Sequence, residues 1–142
     1  MRQLTRREFH TLATAGLLTS VAASRASAQG PRAESRIAGV LIGVQSYSFR
    51  DQDLQGLIDG MVDIGLTSCE LWEVHVEPRE LRGAGTREEL RRWRLTVPLD
   101  HFRSIRDRFH DARLTLNSYN LSFKDHFSDE EIDRGFEMAK AL

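Results

Sequence analysis

Seven side chains whose chemistry suits a polyhydroxylated ligand fall in three short stretches of the sequence: Gln45, Tyr47, Glu70, Trp72, His75, Asn117 and Asn120. In each stretch apolar and polar residues alternate, which is the pattern of a half-buried β-strand. Polar groups that point into a protein need hydrogen-bond partners, and sugar hydroxyls are natural ones. Trp72 could form an apolar wall under a sugar, although core packing is the commoner role of an aromatic residue within a strand. These seven residues are therefore the candidates for contacts with a small-molecule ligand.

Glu70 and His75 are titratable members of this set, and each has two interpretations. A carboxylate in mid-strand is costly to bury unpaired. Glu70 is therefore predicted either to orient other residues of a site or a substrate hydroxyl, without binding metal, or to form a structural ion pair with an Arg or Lys. His75 is predicted at the end of the second strand, where it could contact substrate and is a weak candidate for a metal ligand. The alternative is an exposed loop histidine, or one hydrogen-bonded to a neighbour. A pair with His126 would require two loops to fold inward.

Three other reactive side chains are predicted to have no chemical role. Cys69 is the only cysteine, which excludes an intrachain disulfide, and a lone cysteine in a strand is usually a small buried apolar residue. His101 and His110 fall on the polar side of a predicted helix, so we expect them at the surface.

Three predicted strands would position the candidate residues, at 42–49, 68–75 and 113–122. Successive side chains of a strand point to opposite faces of its sheet. In the third strand this alternation places Ser118 and Asn120 on the same face as Leu114 and Leu116.

Capping signals predict where the helices after these strands begin and end. Asp51 or Asp53 can cap a first helix, and Gly65 can end it in a left-handed conformation. Capping boxes are predicted at Thr86-Arg-Glu-Glu and at Ser128-Asp-Glu-Glu.

Helical periodicity predicts which faces of these helices are buried. The helix that follows Thr86 is rich in arginine and is interpreted as a solvated helix with two apolar anchors, Leu90 and Trp93. A helix restarting at Pro98 and running to about Asp111 has an apolar face of Phe102, Ile105 and Phe109. The last helix has a stripe of Ile132, Phe136 and Ala139.

The alternation of strands and helices predicts a parallel sheet with right-handed crossovers. No dinucleotide-binding glycine pattern and no P-loop falls at a strand–helix turn. The 142 residues carry a net charge of −1, and residues 1–28 hold four of the 20 Lys and Arg but only one of the 21 acidic residues. The acidic remainder argues against nucleic acid as the main partner.

Residues 1–28 have the layout of an export signal. Arg6 and Arg7 precede an uncharged and only mildly apolar run at 11–24, and Ala26-Ser27-Ala28 suits a signal peptidase that cleaves after Ala28. The arginine pair resembles the twin-arginine signal, and the run is shorter than the roughly 20 apolar residues that span a bilayer. We therefore expect a periplasmic protein that uses the twin-arginine machinery, with no membrane span after cleavage. A signal anchor or a general secretory signal is the alternative.

Segments 42–50, 69–72, 90–99 and 136–142, taken in order and spacing, resemble the exported branch of the sugar phosphate isomerase/epimerase family, whose members are xylose-isomerase-like TIM barrels. The resemblance implies a signal peptide at 1–28, a linker at 29–38 and, at 39–142, the first three units of a (β/α)₈ barrel. A whole barrel takes about 250 residues, so the chain is expected to be a natural truncation or an incomplete gene model.

The resemblance also implies the chemistry. Such enzymes move a proton through an enediolate between two Glu, with a divalent metal (Mn, Mg, Co or Zn) held by later strands, so no metal ligand is expected in this chain. The function predicted is therefore that of a periplasmic, metal-dependent sugar (phosphate) isomerase or epimerase, inactive as this chain stands. The alternatives are a non-catalytic carbohydrate-binding barrel protein and a phosphodiesterase related to endonuclease IV.

Overall fold

The computed structural model of the chain describes residues 35–83 and 85–142. The predicted signal, with Arg6, Arg7 and the cleavage point after Ala28, lies outside these residues. The first described element is an antiparallel hairpin of β1 (Arg36–Ile37) and β2 (Val40–Leu41). Its turn has φ of 50° at Ala38 and 83° at Gly39. The predicted linker at 29–38 therefore gives way to a strand at Arg36.

A three-stranded parallel sheet follows, with strand order β3-β4-β5. Its strands are β3 (Gly43–Gln45), β4 (Ser68–Trp72) and β5 (Thr115–Asn120). The helices in this part of the chain are α1 (Leu54–Ile64), α2 (Arg87–Thr96), α3 (Leu99–Asp111) and α4 (Asp129–Ala141). The predicted mixed α/β class with a parallel sheet is confirmed. No helix among the described residues is both long and apolar enough to cross a membrane.

Local capping chemistry sets the ends of two helices as predicted. The Asp53 carboxylate accepts a hydrogen bond from the Gly56 N–H, and Gly65 ends α1 with φ of 81°. Ser128 and Glu131 form both hydrogen bonds of a capping box at the start of α4. The capping box predicted at Thr86 is wrong, because its hydroxyl contacts the Leu81 carbonyl oxygen at 2.7 Å instead of capping α2.

The helices cover one face of the sheet and enclose the hydrophobic core. Cys69 and Leu71 of β4 are fully buried against side chains that include Leu57, Met61, Phe102, Ile105, Phe109 and Met138. The predicted apolar face of α3 is confirmed. The stripe predicted for α4 is wrong, because Phe136 is 64% exposed while the buried positions are Glu131, Gly135, Met138 and Ala141.

All three strands of the parallel sheet are shorter than their alternation predicts, and the third covers only Thr115–Asn120. The first stops at Gln45 and continues as a 3-10 turn, Ser46–Phe49; the second stops at Trp72 and continues as another, Glu73–His75. Where these strands end, side-chain oxygens accept hydrogen bonds from backbone N–H groups that no longer pair between neighbouring strands. The Gln45 side chain accepts from the Tyr47 N–H at 2.9 Å, and the Ser46 hydroxyl accepts from the Trp72 N–H at 2.8 Å.

A β-bulge in the third strand overturns its predicted alternation. Cys69 pairs with Leu116, but the next residue of β4, Glu70, pairs with Ser118, so Asn117 is an extra residue. A bulge of this kind reverses the facing of every later residue. Ser118 and Asn120 therefore lie on the face of Glu70 and Trp72, away from the helices and not beside Leu114 and Leu116.

Candidate functional site

The face of the sheet that the helices leave open carries a polar row, and we call it the open face. Gln45, Glu70 and Ser118 lie side by side across the three strands, and Trp72 pairs with Asn120 one step further along. The Asn120 amide donates to Glu70 Oε1 at 2.9 Å. Four of the seven predicted residues, Gln45, Glu70, Trp72 and Asn120, thus share this face, and Tyr47 joins them as a fifth through its ring contact with Trp72.

Glu70 has an amide partner rather than a cationic one. No Lys or Arg of the described residues lies within ion-pair distance of its carboxylate. The side chain is only half-buried, so solvent or a ligand can reach it. A carboxylate held by one amide keeps acceptor capacity for further donors, such as hydroxyl groups.

An aromatic pair borders this polar row at the carboxyl end of the strands. The Tyr47 and Trp72 rings have centroids 4.9 Å apart and are tilted by 55°. The Arg50 guanidinium lies 4.8 Å from the Tyr47 ring centroid. Tyr47 is 49% exposed, so the pair presents ring surface next to carboxylate and amide groups.

His75 lies in the 3-10 turn after β4, not at a strand end, and it is only 7% exposed. Its Nε2 lies 3.1 Å from the Phe49 carbonyl oxygen, and its Nδ1 lies 3.1 Å from the Ser46 hydroxyl. A carbonyl can only accept, so Nε2 carries the proton and Ser46 donates to Nδ1. Burial is the main cause that lowers the pKa of His75 below its ordinary value. Both ring nitrogens are engaged, which favours the interpretation of a histidine hydrogen-bonded to its neighbours.

Asn117 lies at the bulge, on the amino-terminal side of the polar row. Its amide donates to the Ser68 hydroxyl at 2.7 Å, and its oxygen accepts from the Ser118 hydroxyl at 2.7 Å. Both side-chain groups are engaged in fixing the bulge. Of the predicted binding residues, Asn117 therefore has a clear structural task.

The remaining cysteine and histidine side chains differ in their burial and contacts. Cys69 is fully buried, and burial raises the pKa of its thiol to about 12, with the Glu70 charge adding to the effect. His110 is exposed, as predicted. His101 is not a surface residue: its Nε2 is 3.0 Å from the Val76 carbonyl oxygen and its ring stacks edge-on against Trp93 and Phe102. His126 is exposed and its ring packs against Phe127.

Sequence reasoning missed a buried ionic network between α2 and the turn after β4. Arg94 Nε lies 2.6 Å from Glu77 Oε1, and its Nη1 lies 3.9 Å from Glu131 Oε1. Arg91 reaches Glu131 as well, at 3.3 Å. Ion pairs therefore hold α2, the helix predicted to be solvated, against the rest of the fold. The i, i+3 spacing of Arg91 and Arg94 was the available signal, because it places both on one helix face.

The network lies close to a second feature, the Tyr119 hydroxyl. This oxygen is buried and has no hydrogen-bond partner. Burial, together with the charges of Glu77 and Glu73, raises the pKa of Tyr119 well above its ordinary value. The phenol is therefore neutral at physiological pH.

The described residues do not form a metal site. Nowhere in residues 35–83 and 85–142 do three or more His, Cys, Asp or Glu side chains come together in a group that could hold a metal ion. Comparison with protein-family models, with curated proteins and with solved structures gave no match.

Proposed function

We propose that the open face of the sheet binds a small carbohydrate. The observation that carries this proposal is the Glu70–Asn120 pair beside the exposed ring of Tyr47 and the half-buried ring of Trp72. Carboxylate and amide groups bond sugar hydroxyls in defined directions, and an aromatic wall covers the apolar side of a sugar ring. Gln45 and Ser118 extend the polar row to either side of Glu70.

We further propose that the sheet is the first part of a (β/α)₈ barrel. Strands that are consecutive in the chain are neighbours in the sheet, in the order β3-β4-β5, as barrel strands are. A doubly wound sheet carries helices on both faces and reverses its strand order at a switch point. Here the open face has polar residues and the covered face holds the core. In a closed barrel, the open face would line the interior and its carboxyl end would form the mouth.

The reaction proposed for such a barrel is the isomerisation or epimerisation of a sugar or sugar phosphate. Proton transfer through an enediolate needs a pair of acid–base groups, and Glu70 would orient a substrate hydroxyl rather than take the proton. A divalent metal, which would polarise the substrate oxygens, belongs to the proposal as an expected cofactor of the full-length protein. A carbohydrate-binding protein without catalysis would use the same face, and the engaged ring nitrogens of His75 favour it over catalysis at this residue.

Binding and catalysis can be tested separately on the whole chain. Titration with a panel of aldoses and ketoses, followed by NMR, should give saturable shifts that Glu70→Gln and Trp72→Ala weaken by about tenfold or more, the scale of one hydrogen bond to a charged group. Glu80→Gln, at an exposed position after β4, is the matched control. Exchange of the sugar C2 proton with solvent deuterium, measured with added Mn²⁺ or Mg²⁺, reports isomerase chemistry. Because the chain is predicted to be inactive as it stands, binding without exchange is the expected result; exchange would contradict that prediction, and no binding would reject the site.

We also propose periplasmic export by the twin-arginine route. The motivation is the Arg6-Arg7 pair before a weakly apolar run. Replacing both with Lys keeps the charge but should leave the precursor in the cytoplasm, as cell fractionation would show. Unchanged periplasmic yield would reject this route, and the control is Arg2→Lys, outside the pair.

A further inference from the structure

A cleft of about 280 Å³ lies between the loop that follows β4 and the loop that follows β5. Its wall includes Arg82, Arg87 and Lys124. Neither Glu70 nor Trp72 lines it, so the cleft is separate from the open face. Its net charge depends on how many of these cations are neutralised by carboxylates of the protein.

The charges deeper in the cleft are matched. Arg94 and Glu131, which are 8% and 3% exposed, belong to the buried ionic network with Glu77. Glu73 lies within 3.5 Å of the Ser122 hydroxyl. Glu73 keeps its negative charge, because a hydroxyl can donate a hydrogen bond to a carboxylate but cannot neutralise it. Three cations of the wall, Arg82, Arg87 and Lys124, against this one carboxylate leave the cleft with a net charge of +2.

Arg82, Arg87 and Lys124 form no ion pair with any described residue. Arg82 is half-buried, and the one hydrogen bond that its side chain makes with a described residue runs from Nε to the Pro78 carbonyl oxygen at 3.4 Å. Burial, and then the charge of Arg79, lower the pKa of Arg82. The charges of Glu77, Glu80 and Glu73 act in the opposite direction, but none of these carboxylates is within ion-pair distance of Arg82. A guanidinium that has lost water and has no directly paired counterion is stabilised by an incoming anion.

The start of α2 adds donors to the same wall. The Thr86 hydroxyl donates its hydrogen bond to the Leu81 carbonyl oxygen, so no side chain caps the first N–H groups of α2. Glu88 and Glu89, in the first turn of this helix, do not line the cleft. Uncapped N–H groups at a helix start favour an anion, and they supplement the three cations here.

We propose that this cleft binds a tetrahedral oxyanion, a phosphate or sulfate group either free or esterified, between Arg82, Arg87 and Lys124. A ligand with a single carboxylate carries one negative charge, which is too little to neutralise three unpaired cations. A phosphate dianion carries more charge, and its several oxygens can accept charge-assisted hydrogen bonds from Arg and Lys. This site does not depend on the carbohydrate site of the open face.

Calorimetric titration of the whole chain with inorganic phosphate, at constant ionic strength, tests the proposal. We expect saturable binding that the double variant Arg82→Gln/Lys124→Gln weakens about tenfold or more. The control Arg92→Gln/Lys140→Gln removes the same charge at exposed positions outside the cleft and should bind phosphate normally. Circular dichroism checks that every variant is folded.

Four outcomes would overturn the proposal: no saturable binding to the folded wild-type chain, equal loss in both double variants, no loss in the cleft variant, or acetate binding as tight as phosphate. Competition by glycerol phosphate, tested in parallel, separates an esterified ligand from a free anion. Sugar titration of the cleft variant keeps the two proposals apart, because its binding on the open face should be unchanged.

Discussion

Asn120 donates a 2.9 Å hydrogen bond to Glu70 across two adjacent parallel strands. The two residues are not opposite each other: Glu70 pairs with Ser118, and Asn120 pairs with Trp72. The contact exists because the bulge at Asn117 turns Asn120 to the open face. One inserted residue therefore creates the central polar pair of the candidate site.

Changing Asn120→Asp should place two carboxylates together and make stability depend on pH. A like charge raises the pKa of one carboxyl in the folded state. The folded chain therefore binds a proton more tightly than the unfolded chain, and the resulting gain in the free energy of unfolding is full at low pH and is lost as the pH rises through the raised pKa. We expect a higher melting temperature at pH 4.5 than at pH 7, relative to the wild-type chain, measured by circular dichroism. Asn120→Ala removes the hydrogen bond without adding charge, so it should lower stability by about 1 kcal/mol with no such pH dependence. Equal pH profiles for the two variants would contradict the contact.

His75 should make the fold less stable in acid. Burial lowers the pKa of His75 in the folded state below its ordinary value of 6.5, so the unfolded chain binds the proton more readily. This stability is complete above pH 6.5 and is lost as the pH falls through the folded value. Urea denaturation between pH 5 and pH 8 should give a slope that His75→Gln reduces. His110→Gln, which removes an exposed histidine, should leave the slope unchanged; a wild-type slope in His75→Gln would contradict this assignment.

Arg94→Met should be among the most destabilising single changes in the chain. It would leave the Glu77 carboxylate buried without its cation, while Glu131 would keep only Arg91; breaking a buried ion pair from one side typically costs about 3–5 kcal/mol. Denaturant titration measures the loss. Arg92→Met, at an exposed position of the same helix, should cost little. Adding Glu77→Gln to Arg94→Met should restore part of the stability, and a strictly additive double variant would argue against the network.

Gly135 in α4 should not tolerate a methyl group. A Cβ at this position would lie 2.8 Å from Leu121 Cδ2 and 3.0 Å from two atoms of the Phe123 ring. Overpacking of about 1–3 kcal/mol should outweigh the gain in helix propensity of Gly135→Ala, about 1 kcal/mol. In the comparison variant, Gly56→Ala, the new Cβ would lie 2.8 Å from the flexible end of the Gln52 side chain and 3.0 Å from Gln52 Cβ, so its melting temperature should fall less than that of Gly135→Ala. A more stable Gly135→Ala variant would contradict the packing.

Features encoded within a few residues of one another were predictable from the sequence. The Asp53 cap, the left-handed Gly65 and the capping box of Ser128 and Glu131 each depend on neighbours in the same turn. The apolar face of α3 follows from its 3.6-residue period. The mixed α/β class with a parallel sheet follows from the order of such local signals.

Features that depend on distant partners were decided only by the tertiary structure. The first strand ends early because the Ser46 hydroxyl takes the N–H of Trp72, 26 residues away. Leu121 and Phe123 pack closely against Gly135 and so decide which face of α4 is buried. Sequence alternation carries no information about register, because pairing with β4 alone makes Asn117 an extra residue. The sequence therefore determined which residues could form the polar row, and the register between strands determined which of them meet.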